Sequence, residues 1–244
     1  MKISKPLSRY DLKIKKSWKV LDVGGGHNPH PRANVVVDKF IDDNHHRGRD
    51  LKVLGNQKFV HADGENLPFE TKEFDYVICC HVMEHVEDPY KFVAEQGRIA
   101  HKGYIETPSL LGEFLAPKIS HKWLLQEIDD KIVLYEKDKV GFVPQYDFGD
   151  LFLYHLPKIS IGYKIVERTH PDLFTVRHEW QDNIEILVNP DSTYYREHFT
   201  KPWDEKFYNK VFDQRSLGRE GLASLSAAFD IIKSVFKSKV LKKQ

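Results

Sequence analysis

Four short apolar runs each end in residues able to meet a polar ligand. Val20-Leu21-Asp22-Val23 runs into Gly24-Gly25-Gly26, a second run ends at Asp38 with Lys39 beside it, a third leads to Asp63-Gly64-Glu65, and Phe74 to Cys80 leads to His81. Glycines let a backbone approach a ligand closely and adopt positive φ without a Cβ in the way. A carboxylate at the end of a second strand is where doubly wound sheets accept hydrogen bonds from ribose hydroxyls, and ligands of such sheets bind outside the carboxyl ends of the strands. Groups for proton transfer follow: His81, Glu84 and His85 after the fourth run, Glu106 after a fifth, and His121 beyond it. Histidine titrates near neutrality, so His81, His85 and His121 are the candidate catalytic residues for taking a proton from an acceptor hydroxyl. The four-residue spacing of His81 and His85 also occurs in zinc sites, but no HExxH order and no third ligand at suitable spacing follows, so no metal is expected. His45-His46 and His27-Asn28-Pro29-His30 read as exposed loop residues, the second bordering the glycine turn.

The elements that must position these groups alternate as in a parallel sheet. Lys19 to Val23, Asn34 to Val37, Lys58 to His61, Phe74 to Cys80 and Gly103 to Glu106 are β-branched or apolar runs bounded by turn residues. Pro89 to Ala100 reads as a helix with Asp88 as N-cap and Phe92, Val93 and Ile99 near one face. Eight residues separate Gly26 from Val35, fewer than the dozen or so of a crossover helix, so the first helix is expected to be shortened or lost. From Thr107 to about Gly149 no period is evident, which suggests an insertion, about 108–150, over the sheet's C-terminal edge and shaping a substrate pocket. Tyr163 to Thr169, Phe174 to Trp180 and Ile184 to Val188 read as strands, the last two joined through Gln181, Asp182 and Asn183 as an antiparallel hairpin. The fold class is therefore α/β: a Rossmann-like, mostly parallel sheet with an antiparallel C-terminal hairpin and an insertion after the fifth strand.

Length and composition bound the rest. The 244 residues, 41% hydrophobic and 30% charged, suit one packed domain, taken as 1–221, followed by a basic amphipathic helix over 222–244. In that helix Leu225, Phe229, Ile232, Val235, Phe236 and Val240 form a stripe among Lys233, Lys237, Lys239, Lys242 and Lys243. Packing on the sheet or on a second copy, giving a homodimer, is the commoner use of such a stripe; the rival is an anionic membrane surface. Lys plus Arg is 37 and Asp plus Glu 36, a net charge of +1, and no basic stripe interleaved with aromatics appears, so a nucleic-acid partner is not expected. No apolar run approaches the roughly 18 to 20 residues of a bilayer span, and no apolar stretch follows the Lys-rich N-terminus to make a secretory signal. Cys79 and Cys80, adjacent in a buried-looking run, suit a reducing cytoplasm.

The residues about 18 to 108 resemble a known family, the class I S-adenosylmethionine-dependent methyltransferases, especially their small-molecule type 11 branch. Leu21, Asp22, Gly24 and Gly26 match its hydrophobic-Leu-Asp-x-Gly-x-Gly strand and turn, and Asp38 its acid after the second strand. Asp63, Gly64, Glu65, Leu67, Pro68 and Phe69 match its acidic loop, and Phe74-Asp75-Tyr76-Val77-Ile78 with Met83-Glu84-His85-Val86 its fourth strand and the segment after it. The resemblance implies S-adenosylmethionine as cofactor. Asp22 and Gly24, Gly25 and Gly26 would lie along methionine and ribose, and Asp38, with Lys39, would hold the ribose. Asp63, Gly64 and Glu65 would meet the adenine, and His81 would border the sulfonium. Asn28 stands where the family often has a third glycine. Cys80-His81-Val82-Met83 does not resemble the Asn/Asp-Pro-Pro-Tyr motif of base-modifying enzymes, which points to a small-molecule or glycan acceptor methylated on oxygen or nitrogen. Glu106-Thr107-Pro108-Ser109 and the residues through Trp123 resemble bacterial methyltransferases of surface-polysaccharide or secondary metabolism. The rivals are an NAD(P)-dependent sugar-modifying enzyme, a non-catalytic cofactor-binding module, and a peptide or protein methyltransferase.

Overall fold

The computed structural model describes residues 1–42, 49–212 and 214–241, with side chains described as far as residue 234. His45 and His46, and the side chains of Val235, Phe236, Val240 and the lysines from Lys237 onward, lie outside the described residues. In chain order the elements are β1 (Lys2–Ser4), β2 (Val20–Val23), β3 (Val35–Asp38), β4 (Lys58–His61), β5 (Phe74–Cys80), α1 (Pro89–Ile99), β6 (Ala100–Pro108), α2 (Leu110–Leu115), β7 (Trp123–Ile128), β8 (Lys131–Glu136), α3 (Leu156–Ile159), α4 (Ile161–Thr169), β9 (Thr175–Gln181), β10 (Ile186–Val188), α5 (Thr193–Thr200), α6 (Glu205–Val211) and α7 (Leu217–Leu241).

The main sheet runs β1-β9-β6-β5-β2-β3-β4. Strands β2 through β6 pair in parallel, and β9 lies antiparallel between β6 and β1. Every residue of β2 and β3 is buried, as parallel strands covered on both faces require. The chain moves outward from β2 to β3 and β4, then returns to β5 and moves the other way, so a topological switch point lies between β2 and β5. The expected fold class is the one observed.

No helix follows β2 among the described residues. The chain turns at once: the Gly24 and Gly25 amides donate to the Val37 carbonyl at 2.7 and 3.4 Å, and His30 N donates to Asp22 Oδ2 at 2.6 Å. The α1 helix is as read, with Asp88 accepting from Lys91 N at 3.1 Å and Phe92 and Ile99 buried.

Three sequence expectations are corrected. The stretch after β6 is not irregular: β7 and β8 form an antiparallel hairpin across Asp129-Asp130, whose φ of 51° and 62° are those of a two-residue type I′ turn. Its alternation is masked because both faces are buried, Trp123, Leu125, Ile132 and Leu134 against the main core and Leu124, Ile128, Val133 and Tyr135 against Phe199 and Phe207 of α5 and α6. Next, β9 and β10 do not form a hairpin. The free edge of β9 is taken by β1, and β10 leaves to pair in parallel with β8 in a second, three-stranded sheet β10-β8-β7. Finally, Tyr163 to Thr169 lies in helix α4, capped by Ser160 Oγ accepting from Tyr163 N at 3.1 Å and packed on α7; packing there overrides the β preference of Ile165 and Val166. Helix α7 begins five residues earlier than read and buries Ala227 and Ile231, so Leu225, Phe229 and Ile232 of the expected stripe face outward, 65% to 70% exposed. No helix among the described residues is long and apolar enough to cross a membrane.

Candidate functional site

At the C-terminal ends of β2 to β5 lies an open cleft with about 940 Å3 of empty space, mouth included. Gly24, Gly26, Asp38, Lys39, Asp63, Gly64, Glu65 and His81 line it, together with Phe40, Val82, His85 and Glu87. Gly24 and Gly26 sit at φ of 70° and 51°, and a Cβ on Gly24 would stand 2.1 Å from Val82 Cγ2. Gly64 is small for a different reason: a Cβ there would press on the Phe92 ring at 2.8 Å. Asp38 uses both carboxylate oxygens on the turn, Oδ2 accepting from Gly26 N at 3.1 Å and Oδ1 from Phe40 N at 2.9 Å. Across the mouth Lys39 Nζ pairs with Asp63 Oδ2 at 2.7 Å. Burial alone would raise Asp63, yet the Lys39 ammonium and the Glu65 N–H hold it below the ordinary carboxylate range. Glu65 Oε1 accepts from Glu87 N at 2.7 Å, closing the rim onto the segment after β5.

Two of the expected cofactor residues do not reach the cleft. Gly25 is packed beneath, where a Cβ would meet Val36 at 2.5 Å. Asp22, 1% exposed, organises the turn through His30 N, with Arg9 Nη2 at 4.0 Å. Burial outweighs that guanidinium and pushes the Asp22 carboxyl up to about 6. His30, buried and facing Arg9, is pushed down to about 4.

The other wall is built of histidines and acids. His81 has φ of 57°, a left-handed conformation rarely taken by such a residue and common at functional sites. Its amide donates to Glu106 O at 2.8 Å, and its ring lies between two carboxylates, Nδ1 at 3.4 Å from Glu84 and Nε2 at 3.6 Å from Glu106. Desolvation lowers the imidazole, but the two acids outweigh it and push His81 up to about 10, even with half of its side chain exposed to the cleft. At neutral pH it is an imidazolium and not a base. Glu84 is fully buried; desolvation acts to raise it, and the pull of His81 prevails and holds it down at about 2. Thr107 Oγ1 donates to Glu84 Oε2 at 3.0 Å, and Tyr104 OH to Glu106 Oε2 at 2.5 Å.

Beside this triad, His85 Nδ1 meets the Ser120 carbonyl at 2.9 Å, and the His85 and His121 rings are 4.7 Å apart. His121 Nδ1 lies 2.5 Å from Glu113 Oε2, whose other oxygen takes Lys137 Nζ at 2.6 Å and Lys118 N at 3.0 Å. Glu84, His85 and His121 offer ligand atoms within 4.8 Å of one another. The fold thus brings His81, His85 and His121 together along one wall, with His121 carried in by the segment before β7. Thr107, Glu113 and Lys137 carry no signal in the sequence, because their relation to the histidines is made by the α2 turn and the hairpin.

Comparisons with known proteins agree with this arrangement. Residues 36–105 match the family model described as a methyltransferase domain. A ubiquinone/menaquinone biosynthesis C-methyltransferase of Pasteurella multocida is 29% identical over 103 residues, covering 37% of this chain and 38% of that protein. An uncharacterized protein of Methanocaldococcus jannaschii is 34% identical over 67 residues, covering 25% of this chain and 33% of its own length. The chain therefore spans between 33% and 41% of the length of the curated relatives it matches. The YcgJ protein of Bacillus subtilis is a similar solved structure, 18% identical with a TM-score of 0.34, covering 48% of this chain and 66% of that one. So is the PH0226 protein of Pyrococcus horikoshii, at 21% identity and a TM-score of 0.34, with coverage of 50% and 67%.

Proposed function

From the premise that this chain carries the domain of a class I S-adenosylmethionine-dependent methyltransferase, we propose that it transfers the methyl group to an oxygen, or to a nitrogen, of a small molecule or glycan. The observation that carries the reading is the character of the cleft floor. Strand β2 ends in a glycine turn with no helix behind it among the described residues, and the rim presents Asp38, Asp63, Glu65 and Glu87 against Lys39. A nicotinamide dinucleotide brings a pyrophosphate that wants a helix N-terminus and positive charge. S-adenosylmethionine brings a sulfonium and an ammonium, which an acidic rim suits.

In this reading Gly24 and Gly26 let the cofactor's chain lie on the backbone, Asp38 faces the ribose, and Asp63 and Glu65 face the adenine. The acceptor enters on the side of His81. Its oxygen attacks the methyl carbon, the carbon–sulfur bond breaks with its electrons passing to sulfur, and S-adenosylhomocysteine leaves. In-line placement supplies much of the acceleration. His81, an imidazolium, donates a hydrogen bond to the acceptor and takes no proton; the acceptor's proton is managed along the His85 and His121 wall. The family match ends at residue 105, before α2 and the β7–β8 hairpin, so the acceptor named for the curated relatives is not carried over with the cofactor half.

Thermal unfolding with S-adenosylmethionine, S-adenosylhomocysteine, NAD and NADP in separate titrations tests the cofactor. At about a hundred times its dissociation constant a ligand adds about 2.7 kcal/mol. A shift from the two adenosyl sulfur compounds alone, lost in Asp38→Ala, is expected, whereas a shift from the nicotinamide compounds would overturn the assignment. Isotopic methyl transfer to hydroxyl and amine acceptor panels then tests the acceptor, and binding without any turnover would favour a non-catalytic module.

A further inference from the structure

We propose that Glu84, His85 and His121 form a binding site for a divalent transition-metal ion of the zinc class, on the acceptor side of the cleft. Three observations point there. The ligand atoms lie within 4.8 Å of one another. Two ligands each about 2.0–2.2 Å from an ion stand at most about 4.4 Å apart, so closure needs the widest pair to move by a few tenths of an ångström. Both histidines are already oriented as metal ligands are. His85 Nδ1 faces the Ser120 carbonyl and His121 Nδ1 the Glu113 carboxylate, at 2.9 and 2.5 Å. A carbonyl or carboxylate only accepts, so each Nδ1 carries the proton and each Nε2 the lone pair, the arrangement by which carbonyl and carboxylate partners fix metal-binding imidazoles.

The third observation is independent of the histidines. Glu84 is 0% exposed, its Oε2 accepts from Thr107, and its Oε1 has no hydrogen-bond partner among the described residues. A carboxylate oxygen buried without a donor is costly, and an ion bound to Glu84, His85 and His121 would supply what it lacks. The backbone also holds the parts in place: Lys122 N donates to Glu84 O at 2.9 Å, tying the Met83–His85 turn to the segment that carries His121.

Two imidazoles and one carboxylate are a donor set for zinc, cobalt or iron(II) and not for magnesium or calcium, which prefer oxygen ligands. Three protein ligands leave an open position, as in catalytic sites, and His85 lines the cleft. There the ion would bind the acceptor oxygen and lower its pKa. That last clause rests on the methyl-acceptor reading; ion binding itself does not.

The test uses the full-length protein stripped with a chelator and titrated with Co2+ alone, then with Zn2+, without cofactor. One Co2+ per chain with the visible bands of low-coordinate cobalt, displaced by Zn2+ and not by Mg2+, is expected. Glu113→Gln should weaken binding by about 10- to 100-fold, His121→Ala by more, and His101→Ala, at an exposed position, not at all. Glu84→Gln keeps the Thr107 contact and should also lose affinity, which covers the case of a His121→Ala chain that does not fold. No saturable Co2+ binding, or binding unchanged in both His121→Ala and Glu84→Gln, overturns the site. Neither result touches the cofactor-induced thermal shift, so failure of the ion site and failure of the methyltransferase reading are read separately.

Discussion

The two walls of the cleft are made in opposite ways. The cofactor rim is contributed by three consecutive strand ends, and its groups are backbone amides, glycines and carboxylates bonded to turns within a few residues of themselves: Asp38 to Gly26 and Phe40, Asp63 to Glu65. The histidine wall gathers side chains from four separate stretches, His81 to His85, Glu106 and Thr107, Glu113 to His121, and Lys137, and joins them by side-chain contacts over long sequence separations. One wall is a property of the sheet and can be kept by any sequence that keeps the turns. The other is a property of what is added after β6, so it is where a change of acceptor can be built without disturbing the cofactor.

The largest effect should come from removing the carboxylate at the base of the histidine wall. Glu113, 2% exposed, holds both Lys137 and His121, and deleting one partner of a buried ion pair typically costs about 3–5 kcal/mol. With Lys137 partly exposed, Glu113→Gln should lose about 3 kcal/mol in urea unfolding while the S-adenosylhomocysteine shift persists. Loss of that shift along with stability would mean that the walls are one cooperative unit, and the contrast drawn above would fail.

Gly24→Ala attacks the rim instead. The new Cβ meets Val82 Cγ2 at 2.1 Å on a backbone at φ of 70°. Overpacking and left-handed strain each cost roughly 1–2 kcal/mol, and relaxation of Val82 should leave a net loss of about 2 kcal/mol, with cofactor-induced stabilisation abolished. Co2+ titration should be unaffected; a parallel loss there would again join the two walls. Asp38→Asn is gentler, because one oxygen remains to accept from Gly26 or Phe40. Charge-assisted hydrogen bonds are worth about 1.5–3 kcal/mol, so S-adenosylhomocysteine affinity by calorimetry should fall by at least about tenfold with little change in the unfolding midpoint. Undiminished affinity would remove Asp38 from the ribose.

The same contrast explains how far the sequence could be read. The strands β2 to β6, the glycine turn and the loss of the first crossover helix were legible because each is fixed by local pattern: buried β-branched runs, a Gly-Gly-Gly stop, and too few residues before Val35 to hold a helix. His81, His85 and His121 could be named as candidates, but their meeting could not, since it depends on the β7–β8 hairpin, whose two buried faces erase the alternation that marks a strand. Nor could His81 be recognised as a cation, because the acids that make it one stand at Glu84 and across the sheet at Glu106. Asp22 was misplaced for the converse reason. It has the family's position, yet with the helix after β2 lost, its carboxylate accepts the amide of His30 beneath the turn.

That substitution of roles sets the smallest effect and the sharpest sign. Asp22 is raised from 3.8 to about 6 by burial, and His30 lowered from 6.5 to about 4 by burial and by Arg9. As pH falls from about 6, the folded chain takes up a proton at Asp22 before the unfolded chain does, which adds stability. Over nearly the same interval the unfolded chain takes up a proton at His30 before the folded chain does, which removes it. One proton's difference between the states is worth at most about 1.4 kcal/mol per pH unit, so in the wild type the two slopes nearly cancel between pH 6 and 4. Asp22→Asn keeps an acceptor for the His30 amide and deletes only the first slope. Urea unfolding of both proteins at pH 6, 5 and 4 should show the variant losing ground by about 1 kcal/mol per unit as pH falls, with the difference between the two curves cancelling every other titrating group. A constant difference would mean that Asp22 is ionised throughout, exposed to the cleft after all, and would return it to the cofactor rim.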